Sequence, residues 1–462
     1  MSVVSALVAQ IIAHLGIPRD AIPRTTHSER IAIVNALHRR AGGDETAGRY
    51  AAAATALRAF WHTWNEASLR EPGAELEWPR EFELALKPAW SDFERRVIDE
   101  WLKSNAPALR ILVDATARPS FNRPPQHLAR LSDMHFQDAS MLSSLAKLAL
   151  VRARADALRG ATTEAVRWNR RARRIAEHLY QQPFWIEHAV GTAIERNALA
   201  QLWMLLPAMS RDEFATEMSI VRTISTTTCP IALMTAAESL FTYDVFDGVF
   251  AWATGSAADE SVESLIQSAV DLAAVGANAA PDDPLATVAA FRDSVRRLTL
   301  AETWALQGRI AALVDEWSGR PFWDAWRDRD RLKRCWELAR DNAVIQLLCG
   351  TREEAIVKLD APNYVLHLTR AHRRATLVLL AVHAHKQRTG EFPAVLTELS
   401  DALSPDDCRD PFSGESLIWR AADVPGGYTL YSVGPDQHDD GGRHNGFSRD
   451  PGDFVYWPPT MS

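Results

Sequence analysis

Cysteine is scarce: four residues in 462, at Cys229, Cys335, Cys349 and Cys408, with no C-x-x-C among them. That spacing excludes a zinc knuckle or a disulfide framework and leaves structural thiols. No stretch reaches the ~18 consecutive apolar residues of a bilayer-spanning helix. The N-terminal MSVVSALVAQIIAHLGIPRD has an apolar run but no basic residue before it and no small-residue cleavage site, which makes a poor signal peptide. A positive excess is missing too. Lys and Arg number 51 against 59 Asp and Glu, for a formal net charge of −8 and a pI near 6.0, so no electrostatic basis for non-specific nucleic-acid binding exists. Also absent are a G-x-S-x-G elbow, a P-loop, a dinucleotide fingerprint and an H-E-x-x-H helix. A catalytic centre assembled from scattered helices would leave no such trace.

What is present is apolar content of 47% with 24% charged residues, the composition of a globular chain, at a length that suits about three domains. From Ser2 to about Arg388 the apolar spacing is helical, without a hairpin signal. Ser91 with Glu94 and Ser210 with Glu213 read as S-x-x-E capping boxes, and Asp283 before Pro284 as an N-cap with proline at the first helical position. Residues 145 to 179 read as one tetratricopeptide-type hairpin: Ala153, Ala155 and Ala157 permit close helix approach, Gly160 supplies a left-handed C-terminal position, and Thr162 caps the next helix. A lone hairpin cannot bury its own face, so segments 183–206, 210–225 and 229–253 are expected to stack on it as an irregular, TPR-like array. The small, acidic run 255–283 is expected to mark a seam, and stretches 284–317 and 321–342 to be helical. The sixteen tryptophans are read as inter-helix packing. Three regions are thus expected: an N-terminal helical region (1–130), a helical-hairpin, solenoid-like region (131–360) and an α+β module (361–462). The fold class is mainly α with a small antiparallel sheet at the end.

That last module is the most informative stretch. It reads as a helix over 372–388, a turn with Gly390, Phe392 and Pro393, and a second turn with Asp410, Pro411, Phe412 and Gly414. Three strand-like runs follow, LIWRA, GGYTLYSV and DFVYW. Between the last two lies an acidic, glycine-rich loop with Asp436, Asp439, Asp440, Asp450 and Asp453 among Gly434, Gly441, Gly442, Gly446 and Gly452. Such a loop suits a hard cation, which takes six to eight oxygens, because glycine lets carboxylates and carbonyls converge. It equally suits a solvated acidic loop with Arg443 and Arg449 as partial counter-charges.

The order of these motifs resembles the soluble part of the major pseudopilin of bacterial type II secretion systems, over about residues 365–457. The resemblance implies a long helix feeding a three- to four-stranded sheet closed by a calcium loop. It places the metal at Asp436, Asp439, Asp440 and Asp453, with Ser432 and Gly434 opening the loop. A pseudopilin's helix begins with a hydrophobic anchor, and here that place is taken by the charged DAPNYVLHLTRAHRRATLVLLAV. Residues 105 to 210, from ALRILVDATARPSF through QQPFWIEHAVGTAIERNAL, resemble a group of uncharacterised bacterial proteins with a helical region before such a tail.

His383 and His385 lie two apart and point to nearly opposite sides of a helix, so they cannot share a metal. Glu177 with His178 and Glu187 with His188 are adjacent pairs that do not face each other either, and the four histidines are read as surface or interface groups. Two functional readings follow. In the first, the chain is a non-enzymatic scaffold with a calcium-stabilised module, engaging protein partners in a secretion or pilus-like envelope system. In the second it is an enzyme, with the tail as dock or lid over a buried pocket that gathers Glu177, His178, Glu187, His188 and Glu195. A calcium loop suits the cell envelope, and the poor export signal suits the cytoplasm.

Overall fold

The helical hairpin forms where the glycine breaks the chain. A computed structural model describes residues 26–39, 45–70, 81–121, 128, 130–131, 134, 136–227, 231–256, 260–275, 287–318, 320–328, 330–349, 352–421, 427–448 and 450–458. Helices Gln137–Leu158 and Thr162–Tyr180 are joined at Gly160, whose φ is +79°. There Ala161 N–H donates to the Asp156 carbonyl and Gly160 N–H to that of Ala157, the paired bonds of a Schellman stop. Thr162 does not cap: Ala161 occupies the N-cap without a side-chain bond, and Thr162 is the first helical residue. The next helix, Trp185–Leu205, comes close because Gly191 faces the hairpin, where an added Cβ would lie 3.1 Å from Tyr180 and 3.2 Å from the Ala176 carbonyl.

Both capping boxes are formed. Ser91 and Glu94 exchange backbone and side-chain bonds at the start of Asp92–Ser104, and Ser210 and Glu213 do so ahead of Arg211–Thr227. Asp283 and Pro284 lie outside the described residues. Of the segments expected to stack on the hairpin, helices Trp185–Leu205 and Arg211–Thr227 do so, whereas Ile231–Thr254 packs chiefly on Leu300–Ser318 and Val288–Arg296. The expected seam carries a helix, Glu260–Val275, and the stretch 284–317 is broken into Val288–Arg296 and Leu300–Ser318. The chain is mainly helical, closed by one small antiparallel sheet.

The helix before the sheet is far longer than the apolar run suggests. It spans Arg352–Thr389, 38 residues, and crosses position 360 without a break. Nine consecutive residues, Ala375 to His383, are buried. A helix buried on all sides is a core element: one side packs on Trp185–Leu205 and Arg211–Thr227, another on the sheet. Gly390, with φ +89°, ends it. Strands β1 (Ile418–Ala421), β2 (Tyr428–Ser432) and β3 (Phe454–Trp457) follow in the order β1-β2-β3, antiparallel throughout, with an irregularity between Leu430 and Tyr431. All four β3 residues are buried. One apolar core takes in Val166, Leu202, Trp203 and Phe214 from the helices, Leu377 to Val382 from the long helix, and Tyr428, Phe454 and Tyr456 from the sheet, so the tail is welded to the body. No helix among the described residues is long and apolar enough to cross a membrane.

Candidate functional site

Two features of the C-terminal part bear on function: the acidic loop, and a cleft where the sheet meets the helical body. The loop is folded by its own carboxylates. Asp453, fully buried, accepts the Gly442 amide at 2.6 Å and the Asp440 amide at 3.3 Å. Burial pushes its carboxyl up, and the like charges of Asp439 and Asp440 push it further. Asp436 accepts the amides of His438 at 3.2 Å and Gly452 at 3.3 Å. Asp439 accepts the Gly441 amide at 2.9 Å and the Tyr431 hydroxyl at 3.0 Å. Its second oxygen lies 3.1 Å from the Arg420 guanidinium. The Gly441 amide chiefly, then Tyr431 and Arg420, hold its carboxyl below the usual carboxylate range. The counter-charge is thus Arg420 on β1, where Arg443 had been expected; Arg449 lies outside the described residues.

Asp440 differs from the other three. Its Oδ2 is buried and has no hydrogen bond. Asp439 and Asp440 thus lie near enough to Asp453 for their charges to act on it, while Asp436 bonds the His438 and Gly452 amides, and three of the four aspartates are already bonded. Among the described residues no three His, Cys, Asp or Glu side chains group as a metal-ligand set. A hard cation here would find one unspent buried carboxylate oxygen, at Asp440, and would otherwise share lone pairs that main-chain amides now occupy.

Asp410 has a role that the sequence reading assigned only to a turn. Buried to 1% exposure, it accepts the Ser432 hydroxyl and the Phe412 amide, each at 2.9 Å, and the Val433 amide at 3.2 Å, fastening the turn to β2.

The cleft has a volume of about 380 Å³ and is lined by Leu206, Phe214, His383, Lys386, Phe392 and Trp457, among others. Its walls are aromatic. His383 and Trp457 lie edge to face at 4.9 Å, and Lys386 Nζ sits 3.9 Å above the Phe392 ring. His383 shares a 3.0 Å hydrogen bond with the Tyr428 hydroxyl, and burial, aided by the Lys386 charge, pulls its imidazole down to about 4. The indole N–H of Trp457 is buried and unbonded. The cleft draws on residues some 180 to 250 positions apart in the chain, which is why no local pattern announces it.

The groups proposed for a buried catalytic pocket are in the interior, correcting the surface placement expected for His178 and His188, as the cleft does for His383. Each is engaged in packing. His178 bonds the Tyr50 hydroxyl at 2.8 Å and the Arg118 carbonyl at 3.0 Å; burial above all lowers it to about 3. His188 bonds the Gln182 carbonyl at 2.9 Å and is likewise lowered to about 4. Glu187 accepts the Phe184 amide at 3.2 Å, Glu177 pairs with Arg174 at 2.5 Å, and Glu195 is doubly bonded to Arg373. Comparison with family models, with curated proteins and with solved structures gave no match.

Proposed function

We propose that the chain is a non-catalytic scaffold that holds a protein partner through the aromatic cleft between its helical body and its C-terminal sheet. The observation that carries this reading is the cleft itself. It is an aromatic-walled recess, near the lower end of the size range of ligand sites, with one lysine at its mouth and a buried indole donor without an acceptor. A segment that inserts an apolar or aromatic side chain beside a carboxylate fits those walls and that charge. The engagement of His178, His188, Glu187 and Glu195 in structural bonds supports a scaffold over the enzymatic reading.

In this reading the tail is a pseudopilin-like module, and calcium steadies its loop through Asp440 together with Asp436, Asp439 and Asp453. The enclosed long helix suits a fixed lobe rather than a subunit that polymerises through that helix. An association with a type II secretion or pilus-like envelope system rests on the sequence resemblance. The cleft is tested by placing a photo-crosslinking residue at Lys386 and, separately, at Arg95 on a remote helix. Discrete protein adducts from position 386 that disappear with Trp457→Ala support the reading. Equal labelling from both positions, or none, counts against it.

A further inference from the structure

Ahead of its enclosed segment the long helix carries four polar residues spaced by four, three and four: Asn363, His367, Arg370 and Arg374. At 3.6 residues per turn they share one face. The inner two are buried, Asn363 to 6% and His367 to 3% exposure, yet neither polar atom of the Asn363 side chain, nor Nδ1 of His367, has a hydrogen bond. Buried polar groups are bonded in the great majority of cases, so three unmet atoms one turn apart on a single face point to something that belongs between them.

The outer two residues supply charge. Arg370 is exposed and has no ion pair or hydrogen bond among the described residues. Arg374 reaches Asp406 at 2.6 Å and the Arg409 carbonyl at 3.1 Å, and Arg409 leans on the same Asp406 at 3.5 Å. One solvent-exposed carboxylate thus pairs directly with two guanidinium groups and reaches the third, Arg370, only through its field. The Phe322 ring, 5.2 Å from that of His367 and 4.8 Å from that of Phe412, walls the row. Positive charge outweighs negative along the row: after burial, the charges of Arg370 and Arg374 help lower His367 to about 3, and Arg370, solvent-facing but crowded by its neighbours, is lowered by that packing and by Arg374 and Arg373, with Asp406 acting the other way.

We propose that this face binds a small organic oxyanion, whose phosphate or carboxylate group pairs with Arg370 and Arg374 and whose hydrogen-bonding body reaches Asn363 and His367. An anion supplies the direct partner that Arg370 lacks, and a guanidinium binds either group through two parallel N–H donors. Asn363 and His367 together offer both donors and acceptors, so they suit hydroxyl or amide groups rather than a second charge. The distance from residue 363 to residue 370, about 10 Å along the axis, is more than a bare phosphate spans.

The test is calorimetric titration of the full chain with inorganic phosphate, acetate and glycerol 3-phosphate at one ionic strength. Wild type is expected to bind phosphate or acetate. Arg370→Gln should weaken that binding about tenfold, the loss of one charge-assisted contact, while Arg95→Gln on a remote helix changes nothing. Binding of phosphate alone assigns the charged end to phosphate, and binding of both assigns it to any small oxyanion. Glycerol 3-phosphate should bind tighter than phosphate, and Asn363→Ala should remove the gain. No binding of either small anion, or equal losses in Arg370→Gln and Arg95→Gln, overturns the site. Absence of any gain with glycerol 3-phosphate overturns its inner half.

Discussion

Glu195 and Arg373 meet in two parallel hydrogen bonds, Nε to Oε1 at 2.8 Å and Nη2 to Oε2 at 2.9 Å, with the Tyr180 hydroxyl donating to the same carboxylate at 2.7 Å. Both residues are buried, and the pair joins the helix Trp185–Leu205 to the long helix. Removing one member of such a pair strands a charge in the interior. Glu195→Ala is therefore expected to cost about 3–5 kcal/mol in urea denaturation, whereas Glu195→Leu with Arg373→Met should recover most of it. A double variant as unstable as the single one would show that the charges themselves are needed.

Five buried imidazoles set the response to acid. Burial above all lowers His178 and His367 to about 3 and His188, His372 and His383 to about 4. A histidine held neutral when folded takes its proton near pH 6.5 when unfolded, so the unfolded state binds more protons below that value. Stability should be fully present above about pH 6.5 and fall as the pH drops toward 4. Each imidazole contributes at most about 1.4 kcal/mol per pH unit. Asp410, raised by burial, works in the opposite sense around its own lower range. His372→Phe should reduce the slope of unfolding free energy between pH 6 and 5 by close to one proton. An unchanged slope would mean that His372 titrates normally in the fold.

In the acidic loop two aspartates should behave differently. Asp453 ties down the Gly442 and Asp440 amides without any ion, so Asp453→Ala should destabilise by about 1–3 kcal/mol in calcium and in chelator alike. Asp440 leaves an oxygen unspent, so Asp440→Ala should leave the chelated protein nearly unchanged and abolish the rise in thermal midpoint on adding calcium. If the midpoint of the parent protein ignores calcium, the ion has no place there.

What could be read in the sequence was what local rules dictate. The capping boxes at Ser91 and Ser210, the stop at Gly160 and the three strands each depend on residues within a few positions of one another. The length of Arg352–Thr389 was not legible, because its first half carries no apolar stripe and its helicity depends on neighbours that the sequence does not place beside it. The histidine misplacement has the same root. His178 and His188 are buried because Tyr50 and Gln182 come to meet them, and only His188's partner is near in the chain. The acidic loop was visible as composition, but its wiring was not: the pairing of Asp439 with Arg420 is a contact across 19 residues.

Two glycines of that loop separate backbone strain from crowding. Gly434 and Gly446 have nearly the same conformation, φ +70° and +69°, a region that costs other residues about 1–2 kcal/mol. An added Cβ at Gly446 would meet nothing within 4 Å, whereas at Gly434 it would lie 2.8 Å from the Gly452 carbonyl oxygen. That carbonyl accepts the Asn445 side-chain amide at 2.8 Å, and the following residue is the anchoring Asp453, so it cannot retreat without loosening both. Gly446→Ala should therefore show the backbone cost alone in chemical denaturation, and Gly434→Ala should exceed it by about 1 kcal/mol or more, in the range of overpacked sites. Equal losses would mean that the loop moves aside freely, and with it the case that Asp453 holds the loop in one shape.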